Sequence, residues 1–241
     1  MAVPRGRAAV VEGRLTEPNI SIVIPVLNEE ASIASFLRLL QPSRANGAEV
    51  ILVDGGSTDG TRKAAEAFCD KVIDSEKGRA RQMNAGAAVA RGNLLLFLHA
   101  DTQLPESFLD LLSKFQQSPK QWGRFNVSLS GSKLMFSVIS FMINWRSRIS
   151  GIATGDQAIF VKRSAFDQVG GFSDIPLMED VDLCKKLLKF SRPFCISEPV
   201  ITSSRRWEVH GTWRTIFLMW KLRWKFALGV PPEVLVKEYY G

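Results

Sequence analysis

An apolar segment that ends on an acid constrains this 241-residue chain more than any other feature. Residues 94–98 read Leu-Leu-Leu-Phe-Leu, and the run His99-Ala100-Asp101 follows at once. Nothing in the five apolar residues alternates with polar side chains, which is typical of an interior strand of a parallel sheet. Because open α/β sheets bind ligands at the carboxyl ends of their strands, Asp101 is predicted to lie at a functional site, although a plain acidic turn would explain the same residues.

The amino-terminal part of the chain repeats this pattern. Residues 20–25 (Ile-Ser-Ile-Val-Ile-Pro) predict an apolar strand that breaks at Pro25. Asn28 follows as a candidate helix cap, and Glu29 follows as an acid of the kind that favours a helix N-terminus. A strand, a polar turn and a helix are therefore predicted in succession.

A third segment of the same kind lies between these two. Residues 50–53 predict a strand that ends on Asp54, in the motif Val-Asp-Gly-Gly-Ser-Thr-Asp-Gly-Thr. The adjacent glycines Gly55 and Gly56 allow positive φ and a close approach of the backbone to a ligand. Three strands that end in such turns predict a nucleotide site at the carboxyl edge of the sheet.

The usual phosphate-binding loops are missing from the sequence. The turn after the first strand, Pro-Val-Leu-Asn-Glu-Glu, contains no glycine, so neither a GxGxxG fingerprint nor a GxxxxGK[ST] loop is present there. A bound diphosphate would then need another source of positive charge. Mn²⁺ or Mg²⁺ held by Asp101 could supply it, because both ions prefer oxygen ligands and bridge carboxylates to phosphates.

Taken together, these motifs resemble the family 2 glycosyltransferases of GT-A fold, which use nucleotide-sugar donors. The resemblance covers about residues 20 to 190 and rests on SIVIPVLNEE, VDGGSTDGT, HADT in place of the usual DAD, GDQAIFVKRSAF, GGF and the acidic pair Glu179-Asp180. It implies an α/β protein with a mostly parallel central sheet flanked by helices.

The resemblance also implies roles for particular residues. It implies that a nucleoside pocket is lined by Pro25, Glu29 and Asp54, with Asn28 in the same turn. It further implies that Asp101 holds the metal ion.

The metal motif departs from the family pattern at its first position, where His99 replaces aspartate. A neutral imidazole can ligate manganese but supplies no charge, so His99 either supports the metal or nucleotide or only caps the strand. Residues 99–107 are also similar to the DADLQHPPE segment of polyprenyl-phosphate sugar transferases, which makes Gln103 a candidate metal or phosphate contact. His210 is a further candidate ligand, although a lone histidine is more often a surface residue.

Three cations, Lys77, Arg79 and Arg81, come just before Asn84 in a predicted helix. Cations at a helix start oppose the helix macrodipole, so helix stabilisation explains them poorly. Arg79 and Arg81 are therefore candidate diphosphate ligands, since arginine makes bidentate contacts with phosphate. A solvated basic face is the alternative for one or two of the three.

The acidic pair Glu179-Asp180 opens a helix with apolar residues at helical spacing. Acids stabilise a helix N-terminus in any protein, so the pair has a purely structural interpretation. The resemblance implies that Asp180 lies beside the acceptor. In the catalytic interpretation Asp180, with Glu179 beside it, accepts the proton of the acceptor hydroxyl as that hydroxyl attacks the anomeric carbon. One in-line displacement would invert that carbon.

Further polar residues mark the predicted acceptor side of the site. Asp156 and Gln157 precede a predicted strand at residues 158–161, and Asp156 is a candidate to orient the sugar or the acceptor, with a turn acid as the alternative. The end of the predicted core, where related enzymes bring a carboxy-terminal segment over the diphosphate, contains Arg205, Arg206 and Trp207.

Composition limits the class of protein. Hydrophobic residues make up 46% of the chain, which is enough to bury one α/β core. We expect a loose tail over 1–18, a catalytic domain over 19–207 and a helical appendage over 208–241. The three cysteines are scattered and the first thirteen residues lack an apolar signal segment, so a cytoplasmic location is expected. The net charge is +7, but no nucleic-acid fold signature accompanies it, and no nucleic-acid partner is expected.

The carboxy-terminal cations accompany tryptophans. Residues 213–228 predict a helix whose apolar stripe contains Trp213, Trp220 and Trp224 and whose basic stripe contains Arg214, Lys221 and Lys225. Such a helix suits the interface of a membrane, and a second apolar segment lies at 134–145. Neither reaches the ~18 apolar residues that span a bilayer. Peripheral contact at the cytoplasmic face of a membrane and packing, including a homodimer interface, are both open.

Three classes of function remain open. The first is an inverting glycosyltransferase that moves a sugar from a UDP- or GDP-sugar to a lipid phosphate or to a hydroxyl of a lipid or small metabolite. HADT and Arg-Arg-Trp-Glu at 205–208 are similar to a subfamily of arsenosugar-biosynthesis glycosyltransferases. The second is a nucleotidyltransferase, which would carry a glycine-rich loop after the first strand. The third is a non-catalytic donor-binding or partner-binding module, suggested by His99.

Overall fold

The computed structural model describes residues 19–240, apart from the side chains of Arg206, His210 and Tyr240. The tail predicted for residues 1–18 lies outside the described residues. No helix within the described part of the chain is both long and apolar enough to cross a bilayer.

Eight strands form one mixed sheet. They are β1 (Ile20–Val26), β2 (Glu49–Asp54), β3 (Lys71–Asp74), β4 (Leu94–Phe97), β5 (Thr102–Gln103), β6 (Trp122–Leu129), β7 (Phe160–Lys162) and β8 (Phe194–Thr202). Their order in the sheet is β3-β2-β1-β4-β7-β6-β8-β5. Strands β1 to β4 are parallel, β7 is antiparallel to both of its neighbours, and β6 and β8 are parallel to each other.

The helices of the described residues cover both faces of the sheet and the carboxy-terminal end of the chain. They are α1 (Glu30–Leu39), α2 (Gln41–Ala45), α3 (Thr61–Ala65), α4 (Arg79–Val89), α5 (Phe108–Gln116), α6 (Leu134–Ser150), α7 (Arg163–Gln168), α8 (Glu179–Leu187), α9 (Arg205–His210), α10 (Thr212–Ala227) and α11 (Pro232–Tyr240), with short 3₁₀ helices at Glu66–Phe68 and Gly155–Gln157.

The central strands are buried on both faces, as their unbroken apolar runs predict. Successive side chains of a strand point to opposite faces, so Leu94 and Leu96 belong to one apolar cluster while Leu95 and Phe97 belong to the other. This arrangement leaves β4 in the interior of the sheet and brings its carboxyl end to Asp101. The predicted interior strand is therefore confirmed.

Helix α4 packs very closely on this sheet because it has a glycine at the point of contact. A Cβ atom on Gly86 would lie 2.3 Å from Cγ1 of Val23 and 2.9 Å from Cγ2 of Val53. The close approach fixes the position of the first turn of α4 above the ends of β1 and β2. That turn begins with Arg79, so the packing of Gly86 also helps to place a candidate functional side chain.

One strand boundary differs from the prediction. The sequence predicts a strand at 158–161, whereas β7 covers Phe160–Lys162. Ala158 has φ 45°, in the left-handed region, and this conformation interrupts the extended backbone before β7.

The carboxy-terminal helices dock against the start of α8. Leu222 of α10 and Leu235 of α11 are fully buried and share an apolar cluster with Leu177, Met178 and Val181. Since these last residues flank the acidic pair, the docked helices lie beside the candidate site.

Candidate functional site

Asn28 joins the loops that follow β1 and β2. Its backbone N–H donates to Oγ of Ser57 at 2.8 Å, and its Oδ1 accepts the N–H of Thr58 at 2.8 Å. Asn28 itself has φ 54°, which asparagine adopts more readily than most residues. The prediction that Asn28 caps α1 is wrong. The side-chain oxygen of Asn28 accepts the N–H of Thr58, and Glu29 occupies the cap position of α1.

Asp54 lies buried at the end of β2, as predicted, and stabilises the glycine turn. Its carboxylate accepts the backbone N–H of Ser57 at 3.1 Å and the hydroxyl of the same residue. Glu29 lies across from this turn, with its N–H bonded to Oγ1 of Thr61 at 2.7 Å. The half-buried Pro25 of β1 pairs with the residue of β2 that directly precedes Asp54. The expected nucleoside residues are thus brought to one edge of the sheet.

Gln82 of α4, which was not predicted from the sequence, holds the ends of two strands together at this edge. Its Nε2 donates to the carbonyl oxygens of Val26 at 2.8 Å and Val53 at 2.9 Å, so one amide links the ends of β1 and β2. A Cβ atom on Gly55 would lie 2.9 Å from this amide, which explains the glycine there. A polar residue on the sheet-facing side of α4 was the only signal in the sequence.

The two candidate diphosphate arginines differ in their surroundings. Arg81 is exposed and forms ion pairs with Glu76 and, at 2.8 Å, with Asp174, so much of its charge is already compensated. Arg79 begins α4, and its positive charge acts on His99 and Glu179. Of the two, Arg79 therefore lies closer to the candidate site.

A small pocket opens where β4 ends. Its polar part consists of His99, Glu179 and Asp180, and its apolar part consists of Met83, Phe97, Ile159 and Phe172. The imidazole of His99 packs on the backbone of Gly155, where a Cβ atom would lie 2.5 Å from Cε1. The pKa of His99 is lowered to about 3, mainly by burial. The positive charge of Arg79 contributes to this shift, whereas the negative charge of Asp156 opposes it. His99 is thus neutral at neutral pH.

The Gly-Gly-Phe motif closes the apolar side of this pocket. Asn84 of α4 donates its side-chain amide to the carbonyl of Phe172 at 2.8 Å and accepts the N–H of Phe172 at 3.0 Å. The ring of Phe172 then packs edge-on against Phe97, with 4.8 Å between centroids. Gly170 and Gly171 both have positive φ, so the turn that allows this packing requires glycine.

The acidic pair Glu179 and Asp180 lines this pocket. Both oxygens of Asp180 accept a backbone N–H, one from Gly155 at 2.8 Å and one from Val181 at 2.7 Å. Burial raises the pKa of Glu179, and the neighbouring charge of Asp180 raises it further. Burial also raises the pKa of Asp180, against the bond from Gly155 and the charge of Arg223. Neighbouring carboxyl groups with raised pKa values are typical of acid–base sites.

The backbone before the acidic pair is strained. Met178, directly before Glu179, has φ 70° and is buried. A left-handed conformation of a long side chain persists only where its surroundings enforce it, and such residues cluster at functional sites. The docking of α10 on Met178 provides this enforcement.

Asp156 and Gln157, both expected on the acceptor side, have different environments. Oδ1 of Asp156 is buried with no hydrogen-bond partner among the described residues. Gln157 is completely buried, and its Nε2 donates to Oγ of Ser147 at 3.1 Å. An acceptor contact of Gln157 stays a prediction. Gln157 anchors the loop that carries Asp156.

Two arginines near the acids were not predicted as site residues. Arg146 of α6 donates to the carbonyl of Ile152 at 3.4 Å, while its Nη2 is buried and finds no partner within residues 19–240. Burial and the charge of Arg223 lower the pKa of Arg146 to about 10, against the opposing effect of Asp156 and Asp180. The second arginine is Arg223 of α10, whose charge acts on Asp180. No local motif marks it, because its position near the acids depends on the docking of α10.

The metal motif presents a single exposed carboxylate. Asp101 accepts the hydroxyl of Thr102 at 3.2 Å, and Gln103 is exposed on β5. No group of three or more His, Cys, Asp or Glu within the described part of the chain could hold a metal ion. Mg²⁺ and Mn²⁺ are often bound by one or two carboxylates together with substrate phosphates, and the exposed Asp101 fits that mode. The side chain of His210 lies outside the described residues.

The segment predicted to cover the diphosphate contains a packed tryptophan. Arg205 is exposed at the start of α9, and the side chain of Arg206 is outside the described set. Trp207 packs with Phe136 and Ile139 of α6, so its indole holds α9 against α6. An acceptor contact of Trp207 and Arg205 stays a prediction.

Known proteins share both the sequence motifs and the architecture. Residues 21–171 match the model of the family described as Glycosyl transferase family 2. The chain is 37% identical over 100 residues to the PGL/p-HBAD biosynthesis glycosyltransferase of Mycobacterium bovis, a match that covers 39% of each protein. It is 33% identical over 97 residues to the undecaprenyl-phosphate 4-deoxy-4-formamido-L-arabinose transferase of Pseudomonas paraeruginosa, covering 36% of this chain and 29% of that protein.

The fold agrees with these matches. The mannosyltransferase PcManGT from Pyrobaculum calidifontis, in complex with GDP-Man and Mn²⁺, superposes with a TM-score of 0.60 at 21% identity, covering 78% of this chain and 56% of that one. The matched part of this chain spans about two fifths of the length of the first curated relative. The α/β architecture is the GT-A fold, as predicted. Because the family match covers more than half of its residues, the chain belongs to glycosyl transferase family 2, a family of glycosyltransferases.

Proposed function

We propose that the protein transfers a sugar from a nucleotide-diphosphate sugar to an acceptor, with inversion at the anomeric carbon. The observation that carries this proposal is the carboxylate of Asp180, oriented by the N–H groups of Gly155 and Val181 in a pocket at the end of β4. Asp54 and Asp101 lie at or just beyond the carboxyl ends of β2 and β4, the two strands that flank β1. Donor residues and a candidate base thus share one edge of the sheet.

On the donor side, we assign the nucleoside to the edge formed by Pro25, Glu29 and Asp54. Asp101 would hold Mn²⁺ or Mg²⁺, which supplies positive charge to the leaving diphosphate. The positive charge of Arg79, which acts on His99 and Glu179, would add to that of the metal ion. The GDP-Man and Mn²⁺ named for the similar mannosyltransferase structure support this assignment.

On the acceptor side, Asp180 would take the proton of an attacking hydroxyl. An acceptor that is already ionised, such as a lipid phosphate, would not need this base and would instead be favoured by nearby positive charge. Arg146 and Arg223 supply such charge beside the acids. The similarity to an undecaprenyl-phosphate sugar transferase supports a lipid phosphate among the candidate acceptors.

The proposed activity is tested by release of nucleoside diphosphate. The protein is incubated with UDP-sugars and GDP-sugars, with Mn²⁺ or with a chelator, in the presence of polyprenyl phosphate or small hydroxylated metabolites. Metal-dependent release of UDP or GDP that increases with one acceptor is the expected result. Binding of the nucleotide without any release would favour a non-catalytic donor-binding module.

Arg223 provides a prediction about pH dependence. Its positive charge favours the ionised form of Asp180, while burial and the charge of Asp156 favour the protonated form. Replacing Arg223 by Gln should therefore raise the pKa of Asp180 and move the acid limb of the kcat/KM profile to higher pH. Arg214→Gln removes an exposed charge from the same helix and should leave the limb in place. An unchanged profile in Arg223→Gln would contradict the role of Arg223.

A further inference from the structure

Helix α6 exposes one continuous apolar stripe. The stripe consists of Leu134, Val138, Phe141, Met142, Trp145 and Ile149. Each of them lies three or four residues from another member of the stripe, which places all six on one side of the helix. Phe141 is 64% exposed and Trp145 is 54% exposed, although aromatic side chains are usually buried.

Helix α10 exposes a second stripe, consisting of Trp213, Phe217, Trp220 and Trp224, of which Trp224 is 70% exposed. The opposite side of the helix carries Leu222, which is fully buried. Helix α10 is therefore docked on the core by one side while its aromatic side faces outward. The tryptophan stripe predicted from sequence is not part of the core.

The two helices are neighbours. Phe136 and Ile139 of α6 share an apolar cluster with Ile216 of α10. We call the exposed apolar stripes of these two neighbouring helices the two-helix surface, defined by the ten exposed residues given above. Large apolar side chains that are exposed together mark a site of interaction with a protein or a membrane.

The charges that the two helices carry are all of one sign. Neither α6 nor α10 contains Asp or Glu, while the two helices together carry Arg146, Arg148, Arg214, Lys221, Arg223 and Lys225. Lys221 and Lys225 form ion pairs with Glu238 of α11, so the basic stripe predicted from sequence is partly neutralised. Arg148 and Arg214 remain exposed next to the apolar stripes.

We propose that the two-helix surface binds an anionic lipid bilayer, with its apolar side chains at the boundary between headgroups and acyl chains. Tryptophan and arginine beside an apolar stripe suit that boundary, because the rings and alkyl stems are apolar while their polar ends reach water and phosphate. Arg148 and Arg214 then contact lipid phosphates. The helices lie on the membrane.

A second copy of the chain fits this surface less well than a lipid. A two-fold dimer pairs a surface with itself, so the basic residues beside the stripes would approach those of the partner. Neither helix supplies an acid to offset that repulsion, and like charges across an interface oppose association. An anionic bilayer provides the missing negative charge. This inference is independent of the proposed sugar transfer.

The test measures binding of the full chain to phosphatidylcholine vesicles with and without phosphatidylglycerol. Four of the six tryptophans, Trp145, Trp213, Trp220 and Trp224, belong to the two-helix surface. We therefore expect vesicles with phosphatidylglycerol to shift the tryptophan emission to the blue, and brominated lipids to quench it. Binding should weaken as salt rises, because exposed charges are screened over ~10 Å at 0.1 M.

Two variants of the two-helix surface are compared with one control. One variant replaces Trp213, Trp220 and Trp224 by alanine, and the other replaces Phe141 and Trp145 by alanine. Each should reduce vesicle binding at least about tenfold. The Tm should stay nearly unchanged, because the replaced side chains are exposed. The control replaces Leu39 and Phe190, exposed apolar residues outside this surface, by alanine and should bind like the parent.

Three results would overturn the proposal. They are equal binding to neutral and anionic vesicles, no binding to either, and a dimer in sedimentation velocity that becomes a monomer when the three tryptophans are replaced. The last result would identify the surface as an interface between copies of this chain. A variant that loses vesicle binding but keeps its Tm and its monomeric state supports the bilayer.

Discussion

We expect replacement of Asp180 by asparagine to lower sugar transfer by roughly 10²–10⁴-fold, the range typical for loss of a general base. Asparagine cannot accept the proton of an acceptor hydroxyl, so the loss falls on kcat. Affinity for the donor should stay nearly unchanged, because the base acts in the transition state and Asp54 and Asp101 are retained. Steady-state kinetics with the acceptor and calorimetry with UDP or GDP measure the two effects separately.

A matched control for this variant is Asp182→Asn. Asp182 belongs to the same helix, but its carboxylate accepts the hydroxyl of Ser173 at 2.6 Å and pairs with Lys186 at 3.3 Å, outside the pocket. We expect this variant to keep its turnover and to lose some stability. Retained turnover in Asp180→Asn would contradict the assignment of the base and would favour an acceptor that is already ionised, such as a lipid phosphate.

The fold could be predicted from the sequence where a residue's role depends on its near neighbours. The unbroken apolar run at 94–98 identified an interior strand, because only burial on both faces tolerates such a run. Asp54 and Asp101 were located correctly because the carboxyl ends of parallel strands share one edge of the sheet. The order of the motifs then identified the family.

Residues whose roles depend on long-range packing were not predicted. Gln82 links two strands, and the charge of Arg223 acts on Asp180 only because α10 docks on α8. Gln157 carries a polar side chain next to the candidate acid Asp156, which suggested a ligand contact, yet the fold buries it. The sequence pattern around these residues gives no information on which distant element covers them.

Metal binding is expected to depend on Asp101, the exposed acid just beyond β4. If Asp101 holds Mn²⁺, the ion should strengthen the binding of UDP or GDP, and a chelator should weaken that binding in the parent protein. Loss of a residue that only supports a metal ligand typically lowers metal affinity by about 10–100-fold. Because Asp101 is the proposed ligand itself, Asp101→Ala should weaken nucleotide binding in Mn²⁺ by at least that factor.

Calorimetry of UDP and GDP with Mn²⁺ or with chelator measures this coupling without any need for an acceptor. Asp110→Ala removes another exposed acid, from α5, and should keep the metal dependence of the parent. An Asp101→Ala protein whose nucleotide affinity still depended on Mn²⁺ would place the metal elsewhere, with His99 and Gln103 as the next residues to replace. Equal affinity in Mn²⁺ and in chelator for the parent would instead leave the diphosphate to Arg79, whose positive charge acts on His99 and Glu179 in the pocket.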